Sequence, residues 1–213
     1  MGRLVVVEGL DGAGKRTLVD ALVPALGDAG ASVAGLAFPR YGVDVHADLV
    51  RDALHDRLGD LGDSVHGMAM LFALDRRAAR EQLLDLLARH DVVLADRYVA
   101  SNAAYGAARL HEGADGEFVA WVRALEIDRF ALPVPHAHLL LRVPVEVAAS
   151  RAERRENTET DRKRDSFESD GRLQARCAAV YDELAEANWL ADWHVVDGIS
   201  TPDAGDLAKT LLR

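Results

Sequence analysis

Apolar residues in this chain gather into short unbroken blocks and into longer stripes spaced three or four residues apart, and the two kinds alternate. Val92-Val93-Leu94-Ala95 is the clearest block. Its lack of polar alternation is the pattern of a strand buried on both faces. Val5 to Val7, Ser32 to Phe38, His138 to Val143 and Trp193 to Asp197 read as four more strands. Between them lie helical patterns. Leu18, Leu22 and Leu26 with Val19 and Val23 form one stripe, closed by Gly30 and carrying Pro24, which predicts a kink near Asp20. A short helix is predicted over Asp44 to His55, and Asp63 or Ser64 caps a long one running to about Arg89. Further helices are expected over Val99 to about Glu112 and over Gly116 to Phe130, where Phe118, Val122 and Leu125 share a face. Pro144 suits the first turn of a helix after the fourth strand. Leu173, Cys177, Val180, Tyr181 and Leu184 make another stripe, and Thr201-Pro202 begins a last helix.

Strands alternating with helices imply an α/β architecture, a five-stranded parallel sheet covered by helices on both faces. Ligands of such sheets bind outside the carboxyl ends of the strands. Here those ends carry Gly9, Phe38-Pro39 and Asp96-Arg97. The 213 residues, 49% of them hydrophobic, suffice for one core, so a single domain over 1–213 is expected. A net charge of −10 speaks against a protein that coats nucleic acid or an acidic membrane. Anionic ligands must then be met by local basic clusters. Arg151 to Arg164 is one: dense in charge, almost without apolar residues, and expected to stay out of the core. The lone cysteine, Cys177, rules out an intramolecular disulfide, and neither a leader pattern nor a long apolar span precedes the first strand, which points to the cytoplasm.

The candidate chemistry begins at Gly9-Leu10-Asp11-Gly12-Ala13-Gly14-Lys15-Arg16-Thr17. Four residues separate Gly9 from Gly14 and Lys15 follows at once, the spacing of a loop whose backbone N–H groups cradle phosphates. The helix behind it adds uncapped N–H groups and the positive end of its dipole. A nucleoside triphosphate fits such a loop. Arg16 stands where a hydroxyl residue usually holds Mg²⁺, and Thr17, about 100° further round the helix, does not replace it. A second ligand is suggested by two helical stripes. Phe72 and Arg76 are four apart and offer an aromatic surface beside a planar multi-donor group. Asn102, Tyr105 and Arg109 form a polar stripe directly after Asp96-Arg97-Tyr98.

These segments resemble the thymidylate kinase family. The phosphate loop, Phe38-Pro39-Arg40-Tyr41, Asp96-Arg97-Tyr98 with Ser101, Asn102 and Tyr105, and Asp165-Ser166-Phe167-Glu168 occur in the family's order and at similar separations over nearly the whole chain. The match is close to the mycobacterial form, which resembles this chain also in the arginine after the loop lysine. The resemblance implies a P-loop NTPase fold with a small mobile lid at about 151–164, a homodimer, and transfer of the γ-phosphoryl group of ATP to dTMP, giving dTDP for dTTP biosynthesis. It implies that Phe72 stacks on thymine, that Arg76 and Asn102 hydrogen-bond it, and that Phe38-Pro39 lines the wall near its methyl group. Tyr105 would stand where a ribose 2′-OH projects, and Ser101 nearby. Arg97 and Tyr41 would hold the acceptor phosphate. Gly9 to Thr17 with Arg151 and Arg155 would hold ATP, Lys15 and Arg16 its phosphates. Asp11, Asp165 and Glu168 would supply oxygens for Mg²⁺, Asp165 also lying near the sugar. Helices around Met68 to Leu74 and Phe118 to Leu125 would carry the dimer contact. Two other readings remain open on the residues alone: a different deoxynucleotide or deoxynucleoside kinase, and a non-catalytic nucleotide-binding switch.

Overall fold

The structure, a computed structural model, describes residues 1–158, 166–200 and 202–212, with 155–158, 166 and 168 as backbone alone. Its centre is a five-stranded parallel sheet of β1 (Arg3–Glu8), β2 (Val33–Ala37), β3 (Val92–Asp96), β4 (Ala137–Arg142) and β5 (Asp192–Asp197) in the order β2-β3-β1-β4-β5. The middle strands β1 and β3 are apolar over Leu4 to Val7 and Val92 to Ala95 because both their faces are covered. Val5, Val6, Val7, Val92, Val93, Leu94 and Leu139 are all fully buried. Truncating any one of the leucines to alanine would cost about 2 to 5 kcal/mol through lost contacts and a residual cavity.

Register decides where the site lies. Val7 and Ala37 both stand opposite Asp96, so Glu8-Gly9, Phe38 and Arg97 leave the sheet side by side at one edge. The chain fills one side of β1 with β2 and β3, then crosses to the other side for β4 and β5. The ligand crevice of an open α/β sheet lies at such a reversal.

The helices are α1 (Lys15–Asp28), α2 (Val45–Leu54), α3 (Val65–Ala78), α4 (Arg80–Arg89), α5 (Val99–Leu110), α6 (Glu117–Arg123), α7 (Val145–Thr158), α8 (Ser166–Ser169), α9 (Gly171–Glu186) and α10 (Ala204–Leu211). Four expectations need correction. The long helix expected from Ser64 to Arg89 divides at Ala79, where the Asp75 carbonyl is shared between the Ala79 N–H and the Arg40 guanidinium. The helix expected to Phe130 gives way to a π-helical turn over Ala124–Arg129. The final helix is capped by Asp203, whose carboxylate accepts from Gly205 N and Asp206 N, rather than by Thr201-Pro202. The charged run is not wholly outside the packed structure either: through 158 it continues α7, and Ala152 is buried. Pro24 lies inside α1, which runs on to Asp28.

Helix α5 starts just beyond the end of β3 and packs closely against α3, α6 and α9, because its buried face is made largely of small residues, alanines with Ser101 and Gly106. At Gly106 a Cβ would come within 2.0 Å of the Phe118 ring on α6, so only glycine admits that approach. This close packing puts Ser101, Asn102 and Tyr105 over the strand ends in fixed positions.

Candidate active site

The phosphate loop leaves β1 at Gly9 and enters α1 with Gly14 at the cap, in a left-handed conformation and with no side chain bonded to the helix N-terminus. Among the described residues no side-chain cap thus competes for those amides. Gly12 has φ 80°, and a Cβ there would lie 2.1 Å from the Ala148 carbonyl oxygen, so the loop rests directly on α7. Lys15 is buried, and its Nζ donates to the carbonyls of Gly9 at 3.2 Å and Leu10 at 2.9 Å. Burial, and then the positive charge of Arg97, bring its pKa down to about 8 against the pull of Asp11, Asp96 and Glu8. Arg151 is fastened to the same loop, donating from Nη1 to the carbonyls of Ala13 at 3.1 Å and Gly198 at 2.9 Å. Arg16 points outward, its side chain 85% exposed and 3.9 Å from Asp20, and Thr17 is exposed too. The Arg155 and Glu168 side chains, Asp165, and the lid expected beyond residue 158 lie outside the described residues.

Across the strand ends, Asp11 meets residues that sequence places far away. Arg97 Nη2 donates to its Oδ1 at 2.6 Å, and the Tyr105 hydroxyl donates to its Oδ2 at 2.8 Å. Burial opposes the charged carboxylate, yet Arg97, Lys15 and these hydrogen bonds hold Asp11 well below the ordinary carboxylate range. Arg97 itself sits at φ 65°, a left-handed turn that aims its side chain back across the strand ends. Its guanidinium lies over the Tyr105 ring, and that ring stacks on Phe167, which in turn carries Arg109 on its other contact.

Ser101 is bonded to groups of the chain itself. Its hydroxyl bonds Glu8 Oε2 at 2.6 Å and pairs with the Tyr181 hydroxyl at 2.9 Å, while accepting from Arg97 Nη1 at 3.1 Å. Glu8, wholly buried, also accepts from the backbone N–H of Tyr98 and Ser101. Burial raises its pKa, and the surrounding donors and cations pull the other way. The arrangement anchors the start of α5 to the phosphate-loop strand. Next to it, Asp96 Oδ1 is buried without a hydrogen-bond partner among the described residues.

A second cluster lies under α3. Arg76, 3% exposed, donates from Nε and Nη2 to the two oxygens of Glu126 at 2.5 and 2.8 Å. Asn102 Nδ2 donates to Glu126 Oε1 at 2.8 Å and to the Ala69 carbonyl at 3.0 Å. Phe72, one turn before Arg76, is half-buried against Val50, Ala53, Leu54 and Met68. Phe38 packs on Tyr98, with ring centroids 5.9 Å apart. Arg40 fixes this wall to α3 by donating from its backbone N and Nε to the Asp75 carboxylate at 2.9 and 2.7 Å. Tyr41 stays partly open with Arg51 over its ring.

The phosphate loop, the Asp11–Arg97–Tyr105 group and the Arg76–Asn102 pair are therefore joined through α5, which carries Asn102 and Tyr105, into one arrangement beside the carboxyl ends of β1, β2 and β3. It offers an anion cradle at one end and, at the other, an aromatic ring beside fixed polar groups. A family profile described as Thymidylate kinase matches residues 7–198. The chain belongs to the thymidylate kinase family. Thymidylate kinase of Mycobacterium tuberculosis (strain H37Rv) is 51% identical over 208 residues, covering 98% of this chain and 96% of that protein. Thymidylate kinases of Akkermansia muciniphila and Caenorhabditis elegans are 37% identical over 193 residues (89% of this chain, 82% of theirs) and 32% over 159 (70% and 67%). With family membership goes the class of nucleoside-monophosphate kinases with ATP as phosphoryl donor.

Glu8, Asp75 and Glu126 were not among the candidates read from sequence. Each is a carboxylate set in an apolar or helical pattern, and at Glu126 the signal was a charge between Leu125 and Ile127 on an otherwise buried face. On the two helices expected to carry a dimer contact, Met68, Phe118, Val122 and Leu125 are buried within the chain itself, whereas Leu71, Leu74 and Trp121 are half-buried.

Proposed function

We propose that this chain, as a single nucleoside-monophosphate kinase domain, transfers the γ-phosphoryl group of ATP to dTMP. The observation that carries the choice of base is the polarity left at Arg76 and Asn102. Arg76 has donors only, and with Nε and Nη2 on Glu126 it keeps Nη1. Both bonds of Asn102 Nδ2 are taken, so what it keeps is Oδ1, an acceptor. A donor beside an acceptor matches the O4 and N3–H edge of thymine. Cytosine shows the reverse pattern, an amino donor and an N3 acceptor, and would leave buried groups unpaired at about 1 to 3 kcal/mol each. Phe72 supplies the stacking face, and Phe38-Pro39 the apolar wall for the thymine methyl group.

The chemical step asks little proton transfer of the protein. Phosphoryl transfer is catalysed by alignment and by neutralising charge on the moving group. In this reading Lys15 releases its loop carbonyls to bind the ATP phosphates, with the loop amides, Arg16 and Arg151 around them. Arg97 and Tyr41 hold the acceptor phosphate, and Tyr105 closes the space beside C2′ of the sugar. Mg²⁺ is part of the proposal. An ionised Asp11 and the unpartnered Asp96 Oδ1 suit it, since Mg²⁺ takes one or two carboxylates and fills its shell with phosphate oxygens and water. Bound there, the ion would neutralise phosphate charge. Asp165 and Glu168 remain proposed ligands on the resemblance.

A homodimer and a cytoplasmic setting complete the reading. Half-buried Leu71, Leu74 and Trp121, with exposed His66 against the Trp121 ring, are the apolar surface left on the two helices proposed to pair. No described helix is long and apolar enough to cross a membrane. A coupled ATP-consumption assay with dTMP, dUMP, dCMP and thymidine tests the function. Strong preference for dTMP is expected, and equal rates on dCMP or thymidine would overturn it. Sedimentation at micromolar concentration tests the dimer, which a monomer mass would exclude.

A further inference from the structure

Glu126 is a carboxylate with 0% exposure, and it lies one layer behind the crevice. Its position comes from the π-helical turn Ala124–Arg129, which closes with Phe130 N on the Leu125 carbonyl at 2.9 Å. Such wide turns are rare in helices and gather at functional sites. Three hydrogen bonds converge on Glu126, two from Arg76 and one from Asn102, and the partners come from α3 and α5.

We propose that Glu126 is the positioning residue that fixes which hydrogen-bonding polarity Arg76 and Asn102 present to the acceptor base, and so sets the preference for a keto pyrimidine over an amino pyrimidine. The inference rests on the reading that the acceptor is a pyrimidine monophosphate bound against these two residues.

The argument is one of atom types. An ionised carboxylate accepts and never donates, so every atom facing it must be a donor. Arg76 can do nothing else, but Asn102 has a choice. Its amide has an oxygen end and an NH₂ end of nearly the same shape, and a half-turn about the last bond exchanges them. Glu126 Oε1 at 2.8 Å and the Ala69 carbonyl at 3.0 Å, both acceptors, require the NH₂ end inward. The oxygen is therefore the end available to the base. A fixed acceptor next to the Arg76 donor selects N3–H and O4, whereas a turned amide would offer a donor to N3 of an amino pyrimidine. The same carboxylate neutralises Arg76, whose pKa is raised by Glu126 against the cost of burial. Without it Arg76 would be a buried cation free to leave its place.

Glu126→Gln tests this because it keeps the shape and exchanges one acceptor for a donor. Wherever the new NH₂ group sits, it meets either Arg76 Nε or the site shared by Arg76 Nη2 and Asn102 Nδ2. One arginine bond is lost, and in the second case the Asn102 amide gains a reason to turn. Steady-state rates on dTMP and on dCMP, with KM for ATP measured alongside, should show kcat/KM for dTMP falling about ten- to a hundredfold, as expected for loss of charged hydrogen bonds. Activity on dCMP should hold or rise and KM for ATP should stay put, so the dTMP to dCMP ratio narrows. An equal fall on both acceptors, or an unchanged ratio, would reduce Glu126 to a structural residue and overturn the proposal. Wild-type enzyme with no preference for dTMP over dCMP would overturn the functional reading instead. If the variant does not fold, hydrogen exchange of the Asn102 side-chain amide in the wild-type protein without nucleotide decides. Protected protons are expected, and exchange at the rate of a surface amide would overturn the proposal.

Discussion

Arg97 and Asp11 stand 86 residues apart in sequence and meet at 2.6 Å over the end of the sheet. Each is held by more than the other. Asp11 also accepts from Tyr105, and Arg97 also donates to Ser101, so the pair ties the phosphate loop to α5. Asp11→Asn keeps the size of the side chain but offers only one acceptor oxygen to two donors, and its NH₂ group must face one of them. Loss of about a hundredfold or more in kcat is expected, in line with removal of one preorganised electrostatic group, together with about 1 to 3 kcal/mol of stability. The stability change has a pH signature. Because the folded pKa of Asp11 lies below its unfolded value of 3.8, its contribution is present above that pH and fades as pH falls through the folded value. Wild type and variant melting temperatures should therefore differ near neutral pH and converge in acid. A constant difference down to strongly acid pH would remove the ion pair as its cause.

Tyr105 gives a prediction in which ring and hydroxyl separate. The ring is fixed by stacking on Phe167 at 6.3 Å, edge contact with Tyr181 at 6.5 Å and the Arg97 guanidinium above it, while the hydroxyl serves Asp11. If the ring excludes a 2′-OH by occupying space, Tyr105→Phe should keep the discrimination between dTMP and its ribonucleotide counterpart at a modest loss of stability, about 1 kcal/mol for one hydrogen bond. Tyr105→Ala should relax it. An alanine variant that discriminates as sharply as wild type would assign the sugar preference to another residue.

Lys15 should make nucleotide binding sensitive to mild alkali. Its pKa near 8 means the free protein holds a cationic lysine below that pH and loses the proton above it. ATP binding favours the cation, so affinity should be flat to about pH 8 and then weaken by up to about tenfold per unit. Stability of the nucleotide-free protein moves the other way. The folded pKa lies below the unfolded value of 10.5, so burying the charged amine is a cost below pH 8 that disappears as pH rises from 8 to 10.5. Calorimetric titration with ATP from pH 7 to 9.5 checks the first part. Affinity that does not change over that range would show that the loop carbonyls of Gly9 and Leu10 keep Lys15 charged.

What could be read from sequence followed from local chemistry. Unbroken apolar blocks such as Val92 to Ala95 announced the buried strands, and the glycine spacing from Gly9 to Gly14 announced the loop, because backbone sterics and burial act within a few residues. The crevice was legible at residues that end strands or share a helical face, such as Arg97, Phe72 and Arg76. Glu8, Asp75 and Glu126 were not, since their value lies in partners 93, 35 and 50 residues away. A helical pattern cannot show that a carboxylate is neutralised across the fold. Nor could the periodicity around Phe118 and Val122 reveal that both side chains are buried within the chain itself, Phe118 against Gly106 of α5.

Arg16 provides the sharpest separation of stability from activity. It occupies the position after the loop lysine where a hydroxyl would be expected to help hold Mg²⁺, yet it projects into solvent with only a loose pairing to Asp20 at 3.9 Å. A pair so exposed contributes little to folding, so Arg16→Ser should leave the melting temperature within the equivalent of about 0.5 kcal/mol. Activity should behave differently. At the start of α1, beside the cradle, a guanidinium with several donors can swing onto a phosphate and neutralise charge as it moves, a role serine cannot take over by restoring the commoner loop sequence. The expected result is a lower kcat with unchanged KM for dTMP and unchanged stability. Undiminished turnover in Arg16→Ser would show that the loop tolerates arginine there without using it, and the charge on the transferring group would then have to be met by Lys15, Arg97 and Arg151 alone.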